Sequence, residues 1–340
     1  MPEFLLGLPH LADGPLLAAA RRLRTPVLLS ANAFSVWRPD RLGLRDWVGF
    51  DHRPLRRLAG LDAALDSAGF VAMARYGFYP WTVAAYTELA AAAPWRWFSA
   101  MDLCVEPKIA RDDAEVLDRI AGTVRLYMRC LREAEDRGIA DRLAPVVQGW
   151  RPDHYLRCLD RLPGVECVPV LGVGSVCRRQ VGGADGVLRV VDTLDRALGN
   201  APARFHLYGV KSEAMHALRD HPRVASVDSQ AYGQTARRAA FLAGQSKTDA
   251  FLARHMVTFQ RRQMALLAEP GQGARSPFFP VALPESPADP IEARVATAAD
   301  ELRALHEEGE VDWSDLGPLA AFQWAFMDDL PGPEAAAEAA

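Results

Sequence analysis

The sequence has few cysteines, and their arrangement suits neither cross-linking nor metal binding. Its 340 residues include five cysteines, an odd number without a C-x-x-C pair, which argues against a disulfide framework and a compact zinc site. No apolar stretch approaches the roughly 18 residues of a membrane helix, and no basic segment precedes the short apolar run at the N-terminus. We therefore expect a cytoplasmic protein with reduced thiols and no membrane partner.

The net charge of the chain also gives no indication of a particular class of partner. Thirty-nine Lys and Arg against 43 Asp and Glu give a formal net charge of -4, so a nucleic-acid partner would need a local basic face. The mixture of 50% hydrophobic and 24% charged residues excludes disordered, collagenous and coiled-coil proteins. The length fits two domains or one α/β barrel of about 250 residues with additional segments.

Short apolar runs bounded by Gly, Pro, Asp or Ser alternate with longer stretches of helical composition. The predicted strands are 4–8, 26–30, 63–66, 97–102, 145–148, 167–172, 205–210 and 224–228. The clearest predicted helices are 113–137, 185–198, 212–219, 235–269 with a break near Gly244, and 291–308. This alternation predicts an α/β fold, a (β/α)8 TIM barrel with extra C-terminal helices. An open doubly wound sheet is the alternative, weakened by the lack of a G-x-G-x-x-G turn after the first or second strand.

The predicted domains follow from this pattern. We expect residues 1–235 to form the barrel and catalytic domain. Residues 236–340 would form a C-terminal helical extension packed on the barrel, with a loop over 270–290 that is rich in Pro, Gly and Ser.

Four predicted strands end in a polar residue, namely Asp66, Asp102, Gln148 and Asp228. The carboxyl ends of barrel strands share one face, where barrel enzymes carry their chemistry. A single Asp at such a place is more often a helix cap or turn acceptor, but three close together repel unless a ligand, proton or cation separates them. A metal site is one interpretation of the three Asp residues, although no H-x-H or H-x-x-x-H pattern supplies histidine ligands. We expect neither a metal nor a cofactor.

Two carboxylates can instead perform a displacement at a sugar anomeric carbon, one as nucleophile and the other as general acid/base. The third Asp and the Gln amide are then available to hydrogen-bond the edge of a planar base, a pattern that suits guanine.

These segments resemble motifs of the tRNA-guanine transglycosylase superfamily, most closely its DNA-acting branch, the deazapurine DNA modification transglycosylases (DpdA-type). Six motifs occur in the family's order over residues 61–230, about half of the chain. They are Leu65–Phe70, Met101–Pro107, Pro145–Gly149, Val170–Gly174, His206–Val210 and Ser226–Ser229.

The resemblance implies a role for each matching residue. Asp228 would attack C1′ of a guanosine nucleotide and hold the sugar covalently, and Asp66 would be the general acid/base. Phe70 and Tyr208 would stack on the base, although ordinary core packing is the plainer explanation of two aromatic residues. The remaining residues implied in base binding are Asp102, Gln148, Ser67, Leu171, Gly172 and Gly209.

The chain also departs from the tRNA enzymes. It has no cysteine after Cys177, so their zinc site is absent, and Tyr232-Gly233-Gln234-Thr235 does not match the segment that follows their nucleophile. Ser175 stands where the bacterial tRNA enzymes have Glu, which favours the neutral base 7-cyano-7-deazaguanine. We expect a pentosyltransferase that exchanges guanine in DNA for a 7-deazaguanine. The alternatives are exchange in tRNA, a non-catalytic accessory subunit, or an unrelated barrel hydrolase.

Clustered cations follow several strands and would contact phosphates, although paired Arg on helices are more often solvated. The predicted nucleic-acid-binding residues are Lys108, Arg178, Arg179, Arg237 and Arg238. The expected partners are DNA, with tRNA as the alternative, and a 7-deazaguanine base. The target nucleotide would be flipped out of its stack. The sequence leaves open a homodimer and helper proteins that open the duplex.

Overall fold

A parallel sheet dominates the part of the chain that the computed structural model describes, residues 1–39, 45–177, 179–268, 295 and 298. Nine short strands hydrogen-bond side by side in the order β7-β6-β5-β2-β1-β11-β10-β9-β8, and β3 and β4 form a separate antiparallel hairpin. The strands are β1 (Glu3–Leu8), β2 (Val27–Ser30), β3 (Ser35–Pro39), β4 (Arg45–Phe50), β5 (Ala63–Asp66), β6 (Phe98–Ser99), β7 (Leu143–Ala144), β8 (Val146–Val147), β9 (Val170–Val173), β10 (Arg204–Leu207) and β11 (Val224–Ser229).

The two ends of this sheet meet at Pro145. β7 pairs with β6 and β8 pairs with β9, yet only Pro145 separates β7 from β8 in the chain. Because proline has no N–H to donate to the β-ladder, Pro145 divides one strand position of the barrel into two short segments. The Pro145 carbonyl still accepts a hydrogen bond from Gly172 N at 2.8 Å. The sheet therefore closes into a barrel of eight strand positions, which confirms the predicted (β/α)8 fold and its eight strands.

The helices are α1 (Pro15–Leu23), α2 (Gly69–Val71), α3 (Val83–Ala91), α4 (Asp113–Asp136), α5 (Pro152–Leu159), α6 (Val187–Leu198), α7 (Ser212–Ala217), α8 (Tyr232–Leu242) and α9 (Asp249–Ala268). The break predicted near Gly244 is confirmed, since Gly244 has φ 61 and lies between α8 and α9. The predicted loop 270–290 lies outside the described residues. So does the predicted helix 291–308 apart from Val295 and Ala298, which are helical.

α9 takes the place of the eighth barrel helix. It packs against α1, α7 and β1. Phe259 meets Phe4 with ring centroids 6.1 Å apart, and Gln260 Nε2 donates to Thr25 Oγ1 at 2.8 Å. The β3–β4 hairpin, which the sequence did not predict, follows β2 where most other units of the barrel have a helix.

The described chain falls into two compact units. The described residues of Met1–Gln230 and of Asp249–Phe279 form the barrel unit, and Ala231–Thr248 belong to the second unit together with Val295 and Ala298. Side chains from successive strands fill the barrel interior, where they exclude water beneath the mouth. These interior residues are Leu5, Leu28, Ala64, Trp97, Ala144, Val170 and Tyr208. Among the described residues, no helix combines the length and apolar character needed to cross a membrane.

Candidate active site

The barrel brings the predicted polar residues to one mouth. Asp66 is the last residue of β5, Gln148 directly follows β8, and Asp228 is the penultimate residue of β11. Asp102 lies three residues beyond β6. Since parallel barrel strands all end on the same face, these four side chains share it.

Asp102 is the centre of a buried hydrogen-bond network. Its Oδ1 accepts from Ser67 Oγ at 3.0 Å, and its Oδ2 accepts a short bond from Gln148 Nε2. The Tyr79 hydroxyl donates to the Asp102 carbonyl at 2.9 Å and accepts from the Asp102 N–H at 3.1 Å. Burial raises the pKa of Asp102 to about 6, although the bonds from Gln148 and Ser67 oppose the rise. The network fixes a carboxylate and an amide as one hydrogen-bonding edge.

Ser175 and Gly174 complete this edge. Ser175 Oγ donates to Gln148 Oε1 at 2.6 Å and accepts from Val105 N at 2.7 Å. A Cβ at position 174 would overlap the Gln148 amide, so only glycine allows this approach. Both bonding directions of the Ser175 hydroxyl are thus engaged, and the residue fixes the rotamer of Gln148.

Asp66 is the acid whose protonation is most strongly altered. Burial raises its pKa to about 7, and the negative charges of Asp102 and Asp228 add to the rise. The N–H groups of Ala68, at 2.9 Å from Asp66 Oδ2, and of Ser67 act in the opposite direction. A carboxyl group that titrates near neutral pH suits proton transfer in both directions.

Asp228 is held through one of its two oxygens. Gly209 N donates to Asp228 Oδ1 at 2.8 Å, and His206 Nε2 lies 3.4 Å from the same atom. Among the described residues, none donates a hydrogen bond to Oδ2. His206 is fully buried, and its Nδ1 lies 2.8 Å from Ser226 Oγ. This arrangement orients the carboxylate and leaves one oxygen for chemistry.

The predicted stacking residues lie around this site. The Tyr208 ring packs edge-on against His206, with centroids 4.6 Å apart, and a Cβ at Gly172 would lie 2.7 Å from it. Phe70 is partly buried in α2, next to Gly69, whose Cβ position would lie 2.7 Å from Asp102 Oδ1. Tyr208 therefore lies over the Gly172 backbone, and Phe70 follows a residue that touches the Asp102 network.

Two of the predicted base-binding residues, Leu171 and Gly172, already use one of their groups in the packing or hydrogen bonding of the barrel. The Leu171 side chain is fully buried, and the Gly172 N–H already donates to Pro145 O.

The structure corrects the role expected for Arg179. Its side chain is 4% exposed, with the guanidinium 4.6 Å from the Trp150 ring centroid. It donates to Tyr155 Oη at 3.2 Å and, in a short bond, to Asp185 O. Arg179 therefore stabilises the loop after β9 and does not present its charge to phosphate. The sequence feature that could have indicated this burial is the pair of aromatic residues Trp150, just before α5, and Tyr155, within α5.

The other predicted nucleic-acid-binding residues differ in position. Lys108 is exposed after β6, and Arg237 and Arg238 are exposed on α8 of the second unit. Arg178 lies outside the described residues. Within the described part of the chain, no group of three or more His, Cys, Asp and Glu side chains is arranged to hold a metal ion.

Sequence reasoning did not assign roles to His206 and Tyr79. Alternation in β10 puts His206 on the same face as Tyr208, and alternation in β11 does the same for Ser226 and Asp228. That pattern could have identified the His206 contacts. Tyr79 lies in the connection that leads from α2 to α3, and no sequence pattern indicates its bond to Asp102.

The fold is a (β/α)8 barrel, and its mouth holds three carboxyl groups, one of which has its pKa raised to about 7. This combination is typical of an enzyme. Residues 50–269 match the family DpdA, described as DeoxyPurine in DNA protein A. The match covers more than half of the chain, and the chain belongs to this family. The search of curated proteins found no match. The chain also matches a solved structure, the YdjI aldolase from Escherichia coli K12, with 10% sequence identity and a TM-score of 0.45, covering 79% of this chain and 92% of the aldolase.

Proposed function

We infer that this protein exchanges a guanine base in DNA for a 7-deazaguanine base through a covalent aspartyl–sugar intermediate. The observation that carries the inference is the combination, in one mouth, of two acids suited to reaction and a third acid bound into a separate hydrogen-bonding edge. Membership of a family named for deoxypurine in DNA supports DNA as the substrate.

Asp228 has the geometry of the nucleophile. With Oδ1 bound to Gly209 N, Oδ2 would attack C1′ of the deoxyguanosine and break its bond to N9 of guanine. Guanine leaves with the electron pair of that bond and takes a proton from the carboxylic acid of Asp66, whose raised pKa keeps part of the population protonated near neutral pH.

The second half of the reaction reverses the proton transfer. Asp66, now a carboxylate, would remove the N9 proton of the incoming 7-deazaguanine, and N9 would attack C1′ to release Asp228. Protons balance across the two halves, and two displacements retain the configuration at C1′. Asp102, Gln148 and Ser67 would hydrogen-bond the donor edge of either base.

Ser175 supports a neutral substituent on the incoming base. Its hydroxyl is engaged with Gln148 and Val105, and it places no negative charge beside the base. This favours the nitrile 7-cyano-7-deazaguanine over a cationic aminomethyl base. Equal exchange of an aminomethyl base would contradict this part of the proposal.

The deciding experiment is nucleoside mass spectrometry of plasmid DNA and, in parallel, bulk tRNA after incubation with the protein and 7-cyano-7-deazaguanine. Asp228→Asn, which preserves shape and removes the nucleophile, is the matched control. Incorporation into DNA that disappears in the variant would support the proposal. Incorporation into tRNA alone would change the substrate, and incorporation with Asp228→Asn would exclude this nucleophile.

A further inference from the structure

An exposed phenylalanine stands on the connection that follows β5, on the face of the mouth. Phe78 has 65% of its surface exposed and follows Gly77, whose φ of 76 ends the helical segment Ala72–Tyr76. Single exposed apolar residues are common on proteins, so exposure alone assigns Phe78 no role. Phe78 differs from other exposed apolar residues in its position at the barrel mouth and in the contacts that hold its neighbours in place.

The residues on both sides of Phe78 are anchored. The Tyr76 ring lies against Trp37 of β3, with centroids 4.7 Å apart and planes inclined by 34°, and Tyr76 Oη donates to Asn32 Oδ1 at 3.3 Å. On the other side, the Tyr79 hydroxyl is bonded to the backbone of Asp102. Phe78 is therefore exposed between two anchored residues, and it directly precedes the side chain that touches the base-binding edge.

Further aromatic packing supports this connection from behind. Trp81 is 3% exposed, and its ring contacts Tyr79 at 5.6 Å and Phe50 of β4 at 5.3 Å between centroids. Exposed Arg75 adds a cation 5.7 Å from the Tyr76 ring centroid. The connection after β5 thus carries an exposed aromatic ring, Phe78, and an exposed cation, Arg75, a combination that is complementary to stacked bases next to phosphates.

We propose that Phe78 enters the base stack of duplex DNA and fills the space left by the nucleotide that turns into the barrel mouth. Unstacking a nucleotide leaves a gap, and apolar side chains inserted between base steps stabilise such distorted duplexes. Arg75 contacts the adjacent backbone phosphate. This inference rests on the proposed function, and it adds the element by which the protein opens the duplex.

Binding to a duplex with a preformed gap tests the inference without any chemistry. Fluorescence anisotropy would compare the full-length protein on an intact duplex and on the same duplex with one abasic site. The wild type should bind the abasic duplex more tightly because the gap accepts the ring at no unstacking cost. Phe78→Ala should lose most of this preference, by about tenfold or more. Phe78→Trp should retain it, as should Met128→Ala, which alters a half-exposed apolar residue on α4.

Retention of the preference by Phe78→Ala, or equal binding of both duplexes by the wild type, would overturn the inference. The melting temperatures of the variants should match that of the wild type because the ring is exposed. Base exchange supplies an independent readout. Phe78→Ala should slow exchange about tenfold or more in duplex DNA and less than twofold in the single strand. If the wild type exchanges no base in either DNA, the proposed function fails, and the abasic preference still decides the role of Phe78.

Discussion

His206 Nε2 lies 3.4 Å from Asp228 Oδ1, while Nδ1 of the same ring lies 2.8 Å from Ser226 Oγ. A buried imidazole thus spans the space between a strand hydroxyl and the proposed nucleophile. With Gly209 N on the same oxygen, it limits the directions that the carboxylate can take.

His206→Phe tests this positioning role. Phe keeps a ring between Trp97 and Tyr208 but removes both nitrogen contacts. We expect the rate of covalent adduct formation to fall about 10- to 100-fold because the carboxylate loses its orientation. The free energy of unfolding should fall by about 1–3 kcal/mol because Ser226 Oγ loses its partner. Partial recovery of the rate in His206→Gln, with binding of the base unchanged, would separate positioning from packing. An unaltered rate in His206→Phe would exclude the role.

The pH dependence of the rate of guanine release should follow the protonation state of Asp66. Release requires the protonated acid, so its rate should fall as pH rises through about 7, the pKa that burial and the neighbouring carboxylates impose. Single-turnover release measured from pH 5 to pH 9 would show this. A rate that rises through pH 7 would assign Asp66 a different role.

Asp102→Asn should move that profile. Removing the charge of Asp102 removes the second-largest cause of the raised Asp66 pKa, so the fall in the rate of guanine release should shift to lower pH. Weaker binding of the base is expected as well, and saturating substrate separates the two effects. A profile that does not move would mean that the two acids are not coupled.

Asp66 should also make stability depend on pH. Its folded-state pKa of about 7 exceeds the ordinary value of 3.8, so the folded chain retains a proton that the unfolded chain has already released. This contribution is complete below about pH 4 and is lost as pH rises to about 7. Between pH 5 and pH 8 the wild type should lose about 1–3 kcal/mol of unfolding free energy relative to Asp66→Asn, measured by denaturant titration. Parallel curves for the two proteins would contradict the shift.

Two glycines form a matched pair for testing the binding edge. Gly174→Ala places a methyl group on the Gln148 amide, whereas Gly233→Ala meets no atom within 4 Å. We expect Gly174→Ala to weaken binding of the incoming base about 10- to 100-fold, since Gln148 must leave Asp102. Gly233→Ala should bind the base as the wild type does. Calorimetric titration with 7-cyano-7-deazaguanine measures both, and equal affinities would show that Gln148 does not bind the base.

Arg179 and Arg237 should differ in what they stabilise. Arg179→Ala removes a buried cation from Trp150 and Tyr155, and we expect it to lower the free energy of unfolding by about 2–4 kcal/mol. Exposed Arg237→Ala should alter stability by less than about 0.5 kcal/mol. If Arg237 contacts a phosphate, the salt dependence of DNA binding should fall by about one charge. A large stability loss in Arg237→Ala would assign it to packing.

The sequence predicted the barrel well because each strand is a short apolar run with clear boundaries. The predicted strand at 145–148 covers β8 but leaves out β7, because the composition does not show that strand pairing continues on the other side of Pro145. The β3–β4 hairpin was missed because its Trp37–Trp47 pairing depends on contacts across the chain and not on a local period.

The candidate site was predictable in part. Strand ends identified Asp66, Gln148 and Asp228 because the fold determines where such residues point. The bond from Tyr79 to Asp102 and the burial of Arg179 depend on how loops fold over the mouth, and a charged residue in a sequence carries no information on whether a ring covers it.

The placement of α9 has a consequence for how the protein is made. Gln260 and Thr25, which are hydrogen-bonded, lie 235 positions apart, so the wall that covers β1 is among the last parts of the barrel unit to leave the ribosome. Until then Phe4 has no Phe259 to cover it, and the nascent barrel exposes apolar surface. A fragment that ends before α9 should therefore aggregate or engage chaperones, and the emergence of α9, not formation of the last strand, would set the moment at which the barrel becomes stable.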